Sequence, residues 1–343
     1  MRFYQDNGYV DIRAIKKLGL PFNFLVGGRG IGKTYTALKT QIEDNEIFMF
    51  MRRTQAQADL INKPQFSPMK PLNRDNGWNI KSTPITKYNS AFYNIVEDGG
   101  KNAPEGLPIG YTCALSTISN MRGFDASDVK TLIYDEFIPE KHERPLKNEG
   151  SAFLNAYETI NRNRELKGCL PLQVLALANS NDLANPLFME LGLIEKANSM
   201  ERKGQSVCIM AERGIGLFLF NDSPISQQKA ETALYKLSNN TEFSRMALGN
   251  SFNSETSATI KAQPLREYKP MVTVGELCIY KHKSNGRYYA SLHTSGSPQS
   301  FTTSDSDIQR FQRLFSWLWL AYMGNKIDFE NILCEILLTK FFK

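Results

Sequence analysis

With 343 residues, the chain is long enough for two domains, each with an apolar core of its own. Its 41% hydrophobic and 22% charged residues, with no long polar tract, exclude a disordered or fibrous protein. A net charge of +6 fits a polyanionic partner and an ordinary basic protein equally well.

The opening stretch MRFYQDNGYVDIR is polar and charged, so no signal peptide is expected. Five cysteines are scattered singly with no C-x-x-C pair, and only three histidines are present; this argues against a zinc site and suits a reducing compartment. The most apolar run, Leu314 to Gly324, is about half the length of a membrane span. Together these features predict a cytoplasmic protein without membrane contact.

From Phe22 to about Phe220, short apolar runs alternate with helical stretches. FNFLV, IFMFMR, YTCALS, VKTLIYDE, PLQVLALAN, VCIMAE and GLFLF read as strands buried on both faces, as in a parallel sheet covered by helices. KTYTALKTQI and NEGSAFLNAYETINRNREL read as helices between them. The prediction is a three-layer α/β domain over residues 1–222.

Directly after the first strand, Gly27 to Thr34 reads G-G-R-G-I-G-K-T, a full match to G-x-x-x-x-G-K-[ST] between a strand and a helix. Glycines let backbone N–H groups turn inward around phosphate oxygens, and the helix N-terminus adds a favourable dipole. Gly27, Gly28, Arg29, Gly30, Ile31, Gly32, Lys33, Thr34 and Tyr35 form the candidate nucleotide-binding segment. In it Lys33 binds the β/γ-phosphates of ATP, and the Thr34 hydroxyl holds Mg²⁺. Arg52 and Arg53 close the next strand, where they either touch nucleotide or face solvent. Arg122, Gly123 and Phe124 then form a loop leading into the following strand, suited to nucleic-acid contact or simply to a tight turn.

KTLIYDEF ends in adjacent carboxylates. Asp135 is the expected Mg²⁺ ligand, and Glu136 the base that orients and deprotonates the attacking water. A switch GTPase would carry D-x-x-G here. The next helix ends with Arg162 and Arg164, suited to an arginine finger reaching a neighbour's γ-phosphate or to an ordinary basic helix end. Asn179 closes VLALAN, as a γ-phosphate sensor or as the start of a turn.

Residues 223–252 are polar and helix-like and read as a linker. Residues 253–343 follow as a small α+β domain: a hairpin turning at SNGR, then helices near 305–323 and 328–342. Asn325 to Asp328 spells N-K-I-D, the guanine-reading tetrapeptide of GTPases, but follows a Trp-rich helical segment instead of a sheet strand, so guanine specificity is not expected.

The residues GGRGIGKTY, FMRR, TLIYDEFIPEK, INRNREL and ANSNDLANPLF occur in order across most of residues 22–190. In this the chain resembles the DNA-packaging ATPases (encapsidation proteins) of small short-tailed phages of the Picovirinae type, related to terminase large subunits and FtsK/HerA translocases. The resemblance implies a RecA-like ASCE P-loop ATPase domain with a mostly parallel sheet, a helical linker, and a C-terminal domain like a degenerate RNase H-type nuclease. It implies a homomeric ring, with five subunits expected, on the portal of a procapsid in the host cytoplasm, absent from the mature virion and pumping double-stranded DNA inward. By position it makes Lys33 and Thr34 the phosphate and Mg²⁺ residues, Asp135 the Mg²⁺ acid and Glu136 the catalytic base. Arg162 becomes the trans finger with Arg164 the alternative, Asn179 the coupling residue, and Arg52 the arginine near the nucleotide base.

In the last domain the strand VTVGELCIY offers only Glu276, too few acids for a two-metal nuclease, so no nuclease activity is expected. With 11 Lys+Arg against 8 Asp+Glu, net +3, and the basic aromatic hairpin YKHKSNGRYY, it suits nucleic-acid contact or an ordinary exposed hairpin. By the resemblance its docking partner is a structural RNA or the portal. A cellular-type DNA translocase or helicase, and a nucleotide-binding assembly module, are the rival readings.

Overall fold

Two-sided burial of short apolar runs dictates the centre of the larger sheet. The computed structural model describes residues 3–98, 101–121, 123–139, 143, 146–179, 183, 185–220, 223–238 and 260–342. Residues 1–191 and 197–252 cluster as one compact unit, and 192–196 with 253–343 as another.

The strands of the larger unit are β1 (Phe22–Gly27), β2 (Phe48–Arg52), β3 (Ile80–Pro84), β4 (Ser90–Asp98), β5 (Lys101–Ala114), β6 (Thr131–Asp135), β7 (Gln173–Ala178), β8 (Val207–Met210) and β9 (Ile215–Phe220). Its helices are α1 (Ile12–Lys16), α2 (Lys33–Glu43), α3 (Gln55–Ile61), α4 (Met69–Asn76), α5 (Glu149–Asn161), α6 (Pro186–Glu190), α7 (Ile194–Arg202, from residue 197 on), α8 (Pro224–Ala230) and α9 (Ala233–Leu237). The sheet order is β3-β4-β5-β2-β6-β7-β1-β9-β8. Every neighbouring pair from β5 to β9 is parallel, while β3, β4 and β8 join antiparallel at the edges. The α/β class and the mostly parallel sheet agree with the expectation.

Alternation along each strand sorts the core into two layers. Leu25, Phe50, Ile133 and Leu175 share one face with Ile12 and Ile15 of α1, Ala37 and Leu38 of α2, and Met69 and Leu72 of α4. The opposite face holds Phe24 and Tyr134, which meet Phe188 of α6 edge-on at 5.7 Å and stack on Phe153 of α5 at 5.4 Å, respectively. Each such fully buried side chain contributes about 1.5–3 kcal/mol of transfer free energy. β1, β7 and β6 lie side by side and parallel, so their C-terminal ends deliver the phosphate loop, Asn179 and the acid pair to one edge.

Strands β3 and β4, most of β5, and helices α3 and α4 had no counterpart in the sequence reading. β3 is half-exposed, and β5 carries Pro104, Gly106, Pro108 and Gly110, which hide the strand signal.

The smaller unit contains β10 (Tyr268–Val274), β11 (Leu277–His282), β12 (Tyr288–Ser291), β13 (Gln299–Phe301) and β14 (Ile327–Phe329), with α10 (Asp305–Leu314), α11 (Ser316–Met323) and α12 (Ile332–Phe342). Its sheet order is β13-β10-β11-β12-β14. Phe311, Phe315, Leu318, Cys334 and Leu338 of the helical segments pack with Val272, Ile279 and Ala290 of the sheet. The hairpin at SNGR joins β11 to β12, as expected. VTVGELCIY, by contrast, breaks at Gly275, whose φ of 55° makes a turn, so Glu276 lies between β10 and β11 instead of on a strand. The helix expected over 305–323 breaks at Phe315, and Asp328 lies on β14 ahead of the last helix.

Candidate active site

The turn from β1 into α2 is built on left-handed backbone at Gly30 (φ 75°) and Gly32 (φ 77°), which glycine adopts without steric cost. Gly32 is also pressed against the ring of Tyr9, to which a Cβ would approach within 2.5 Å. Lys33 opens α2 and is buried. Its Nζ donates to the carbonyls of Gly27 at 2.7 Å and Gly28 at 2.8 Å, and reaches Asn179 Oδ1 at 3.4 Å. Burial pushes the Lys33 ammonium down to about 7, against the opposing pull of Asp135 and Glu136, with Lys229 and Arg29 adding to the depression.

Asp135 ends β6 on the same face as Ile133, the face covered by α2. Thr34, in the first turn of α2, therefore meets it, and its hydroxyl donates to Asp135 Oδ1 at 2.8 Å. Glu136 follows with φ 55°, a left-handed conformation rare for a non-glycine residue that turns its carboxylate back toward the sheet edge. Lys33, Thr34, Asp135, Glu136 and Asn179 line one cavity of about 280 Å³, together with Tyr9 and Tyr35.

Arg52 extends from β2, the neighbour of β6. Its guanidinium donates to Asp135 Oδ2 at 2.6 Å and to Glu136, while its Nε is buried with no partner among the described residues. Arg52, expected beside the nucleotide base, holds the acid pair here, because β2 is the immediate neighbour of β6. Arg53 points to the opposite face and is 1% exposed. It pairs with both oxygens of buried Glu149 at 2.6 and 3.0 Å, and with Glu143 at 2.8 Å. It faces neither nucleotide nor solvent, the two options its sequence position had left open.

Arg162 and Arg164 lie elsewhere. α5 runs back from the acid edge toward the start of β7, where Asn161 accepts from the Leu172 N–H at 2.8 Å. Arg164 donates to the carbonyls of Val129 and, at 2.5 Å, Ala126, both ahead of β6; burial lowers its pKa. Both arginines are therefore separated from their own cavity by the length of β6, about 17 Å. Arg162 is exposed, holds the carbonyl of Phe124, and has strained backbone at φ 43°. Arg122 falls outside the described residues, and Arg29 is exposed on the loop crest.

Two residues at the site carried no motif. Tyr9 arrives from the N-terminal segment, which pairs with itself through Tyr4 and Val10. Lys229 arrives from α8 and donates to the carbonyl of Arg29. Both are brought in by packing between distant segments, which no local spacing reveals.

In the smaller unit Asp328 is held by Arg287 through two bonds, at 2.9 and 2.6 Å. Glu330 accepts from Ser291 Oγ at 2.7 Å and from the Leu292 N–H at 2.9 Å. N-K-I-D spans the turn into β14, with its Asp328 committed to Arg287. Among the described residues no cluster of acids, histidines and cysteines could hold a metal, and no helix is long and apolar enough to cross a membrane.

Comparison with known proteins places this geometry in context. The family model described as Podovirus DNA encapsidation protein (Gp16) matches residues 13–275. The chain is 26% identical over 329 residues to the "DNA packaging protein" of Bacillus phage PZA, covering 90% of this chain and 89% of that one. It is 25% identical over 344 residues to the "DNA packaging protein" of Bacillus phage B103, covering 94% and 96%. Among solved structures, a chain of "The bacteriophage Phi-29 viral genome packaging motor assembly" superimposes with a TM-score of 0.66 at 20% identity, covering 99% of each chain, and so shares the fold.

Proposed function

The chain belongs to the Podovirus DNA encapsidation protein (Gp16) family, and from that premise we propose that it hydrolyses ATP to drive double-stranded DNA into a preformed capsid. The observation that carries this reading is the convergence of Lys33, Thr34, Asp135, Glu136 and Asn179 on one cavity beside the phosphate loop.

The triphosphate lies against the loop Gly27–Gly32 and the N-terminus of α2. Lys33 meets the β- and γ-phosphates, whose negative charge favours the charged form of the buried ammonium. The Thr34 hydroxyl and the Asp135 carboxylate, 2.8 Å apart, are two hard oxygen donors facing one cavity, a pair suited to Mg²⁺. An ion held by Thr34 and Asp135 would supply neutralisation of charge developing on the phosphate oxygens. Glu136 accepts the proton of the attacking water at its carboxylate oxygen, and Asn179 orients the γ-phosphate through its side-chain amide. Arg52 fixes the spacing of the two acids and holds the Glu136 carboxylate until phosphate competes for the guanidinium.

The finer reading is a ring of like subunits, five by resemblance, on the portal of the procapsid in the host cytoplasm. Arg162 of one subunit stabilises transition-state charge at the next; its exposure and its distance from its own cavity support a role in trans. The smaller unit, reading as a vestigial nuclease domain without nuclease activity, docks on the portal or on a structural RNA.

Glu136→Gln tests the chemistry. We expect ATP turnover to fall by at least about 100-fold, with ATP binding retained, since only the proton acceptor is lost. Unchanged turnover would remove both the base assignment and the motor, leaving a module that holds nucleotide for assembly.

A further inference from the structure

Helix α8 reaches the phosphate loop from a segment with no catalytic motif. Ser223 starts it: its Oγ accepts from the Ile225 N–H at 3.3 Å and donates to the Gly8 carbonyl at 3.2 Å, and the side chain is buried. Ile225 closes over Gly8, where a Cβ would lie 2.9 Å from its side chain. One turn further along the same face, Lys229 extends over the loop crest. Its Nζ donates to the Arg29 carbonyl, and a Cβ on Gly30 would lie 2.2 Å from that nitrogen.

A second cavity, of about 590 Å³, adjoins the phosphate cavity and shares Tyr9, Gly30 and Tyr35 with it. Lys229 and Gln228 line this second cavity from α8. Burial lowers the pKa of the Lys229 ammonium, which among the described residues forms no ion pair, although Asp75 lines the same cavity. A half-buried cation that forms no direct ion pair favours the arrival of an anion. The place it occupies, over the crest of a loop shaped for phosphate, indicates which anion that is.

We propose that Lys229 is a positioning residue that binds a phosphate oxygen of the nucleotide, exchanging the Arg29 carbonyl for the anion and fastening α8 over the bound ligand. This rests on the reading of Lys33 and its cavity as a triphosphate site. The exchange moves no covalent bond: an ammonium N–H leaves a carbonyl oxygen for a charged phosphate oxygen, a stronger acceptor. The site is then assembled from three parts of the chain, namely the N-terminal segment, the phosphate loop and α8.

The test uses the full chain and compares wild type with Lys229→Ala, Lys229→Arg and Lys33→Ala. Dissociation constants are measured for ATP with Mg²⁺ and, by competition, for inorganic tripolyphosphate; amide exchange of residues 224–230 is followed with and without ATP. We expect Lys229→Ala to weaken ATP and tripolyphosphate alike, by about tenfold, and Lys229→Arg to restore most of the loss. ATP should slow amide exchange in α8 of the wild type and leave it unchanged in Lys229→Ala. Unchanged ATP affinity in Lys229→Ala would overturn the inference. So would a loss for ATP alone, which would assign the lysine to the nucleoside half. If Lys33→Ala bound ATP like wild type, the triphosphate site itself would fail, and this inference with it.

Discussion

Arg52 and Arg53 are chain neighbours with opposite fates, because successive residues at a strand end point to opposite faces. Arg52 serves the cavity edge and Arg53 the core, where Glu149, 2% exposed, meets it with both oxygens and also accepts from the Tyr134 hydroxyl. Removing one partner leaves the other charge buried, so Arg53→Met should cost about 3–5 kcal/mol of stability. Joint replacement, Arg53→Met with Glu149→Met, should recover most of that loss. Urea midpoints of the single and double variants check this, and a double variant as weak as the single one would contradict it. At this scale the sequence was partly legible. Lys33, Thr34, Asp135 and Glu136 announce themselves because their chemistry demands fixed neighbours along the chain. The contact of Arg52 with the acid pair was not legible, because strand order, which sets what β2 stands beside, is invisible locally. Tyr9 and Lys229 were invisible because they join the site only through tertiary packing.

Among the elements, α5 decides what each arginine can do. It starts near the acid edge and ends at the opposite edge, so its last residues are turned away from their own phosphate loop. Arg164 fastens the segment ahead of β6 through two carbonyls, whereas Arg162 stays exposed. Mixing Arg162→Ala subunits with Lys33→Ala subunits should therefore restore part of the hydrolysis that each lacks alone, since some interfaces would join an intact loop to an intact arginine. The check is ATP turnover across a titration of the two proteins; activity no higher than the sum of the separate variants would count against a trans role. The buried parallel strands were readable because two-sided burial writes continuous apolar runs, as in FLV of β1 and LIY of β6. β3 and β5 were not, because half-exposure and their prolines and glycines mask the pattern. The break at Gly275 shows the same limit, since a tight turn inside an apolar run removes only two residues from the strand.

At the scale of the whole molecule, the proposed function has a nucleotide site in the larger unit power transport of a polyanion by a ring of copies. A net charge of +6 spread over 343 residues is modest, so any grip on a phosphate backbone would have to come from local groups instead of a uniform basic surface. In that reading, hydrolysis at Glu136 moves DNA. Its most direct test is the amount of double-stranded DNA that purified empty capsids take up and shield from added nuclease, with ATP and either wild-type protein or Glu136→Gln. ATP-dependent protection is expected with wild type and none with Glu136→Gln. Equal protection with both proteins, or none with a wild-type protein that hydrolyses ATP normally, would contradict it.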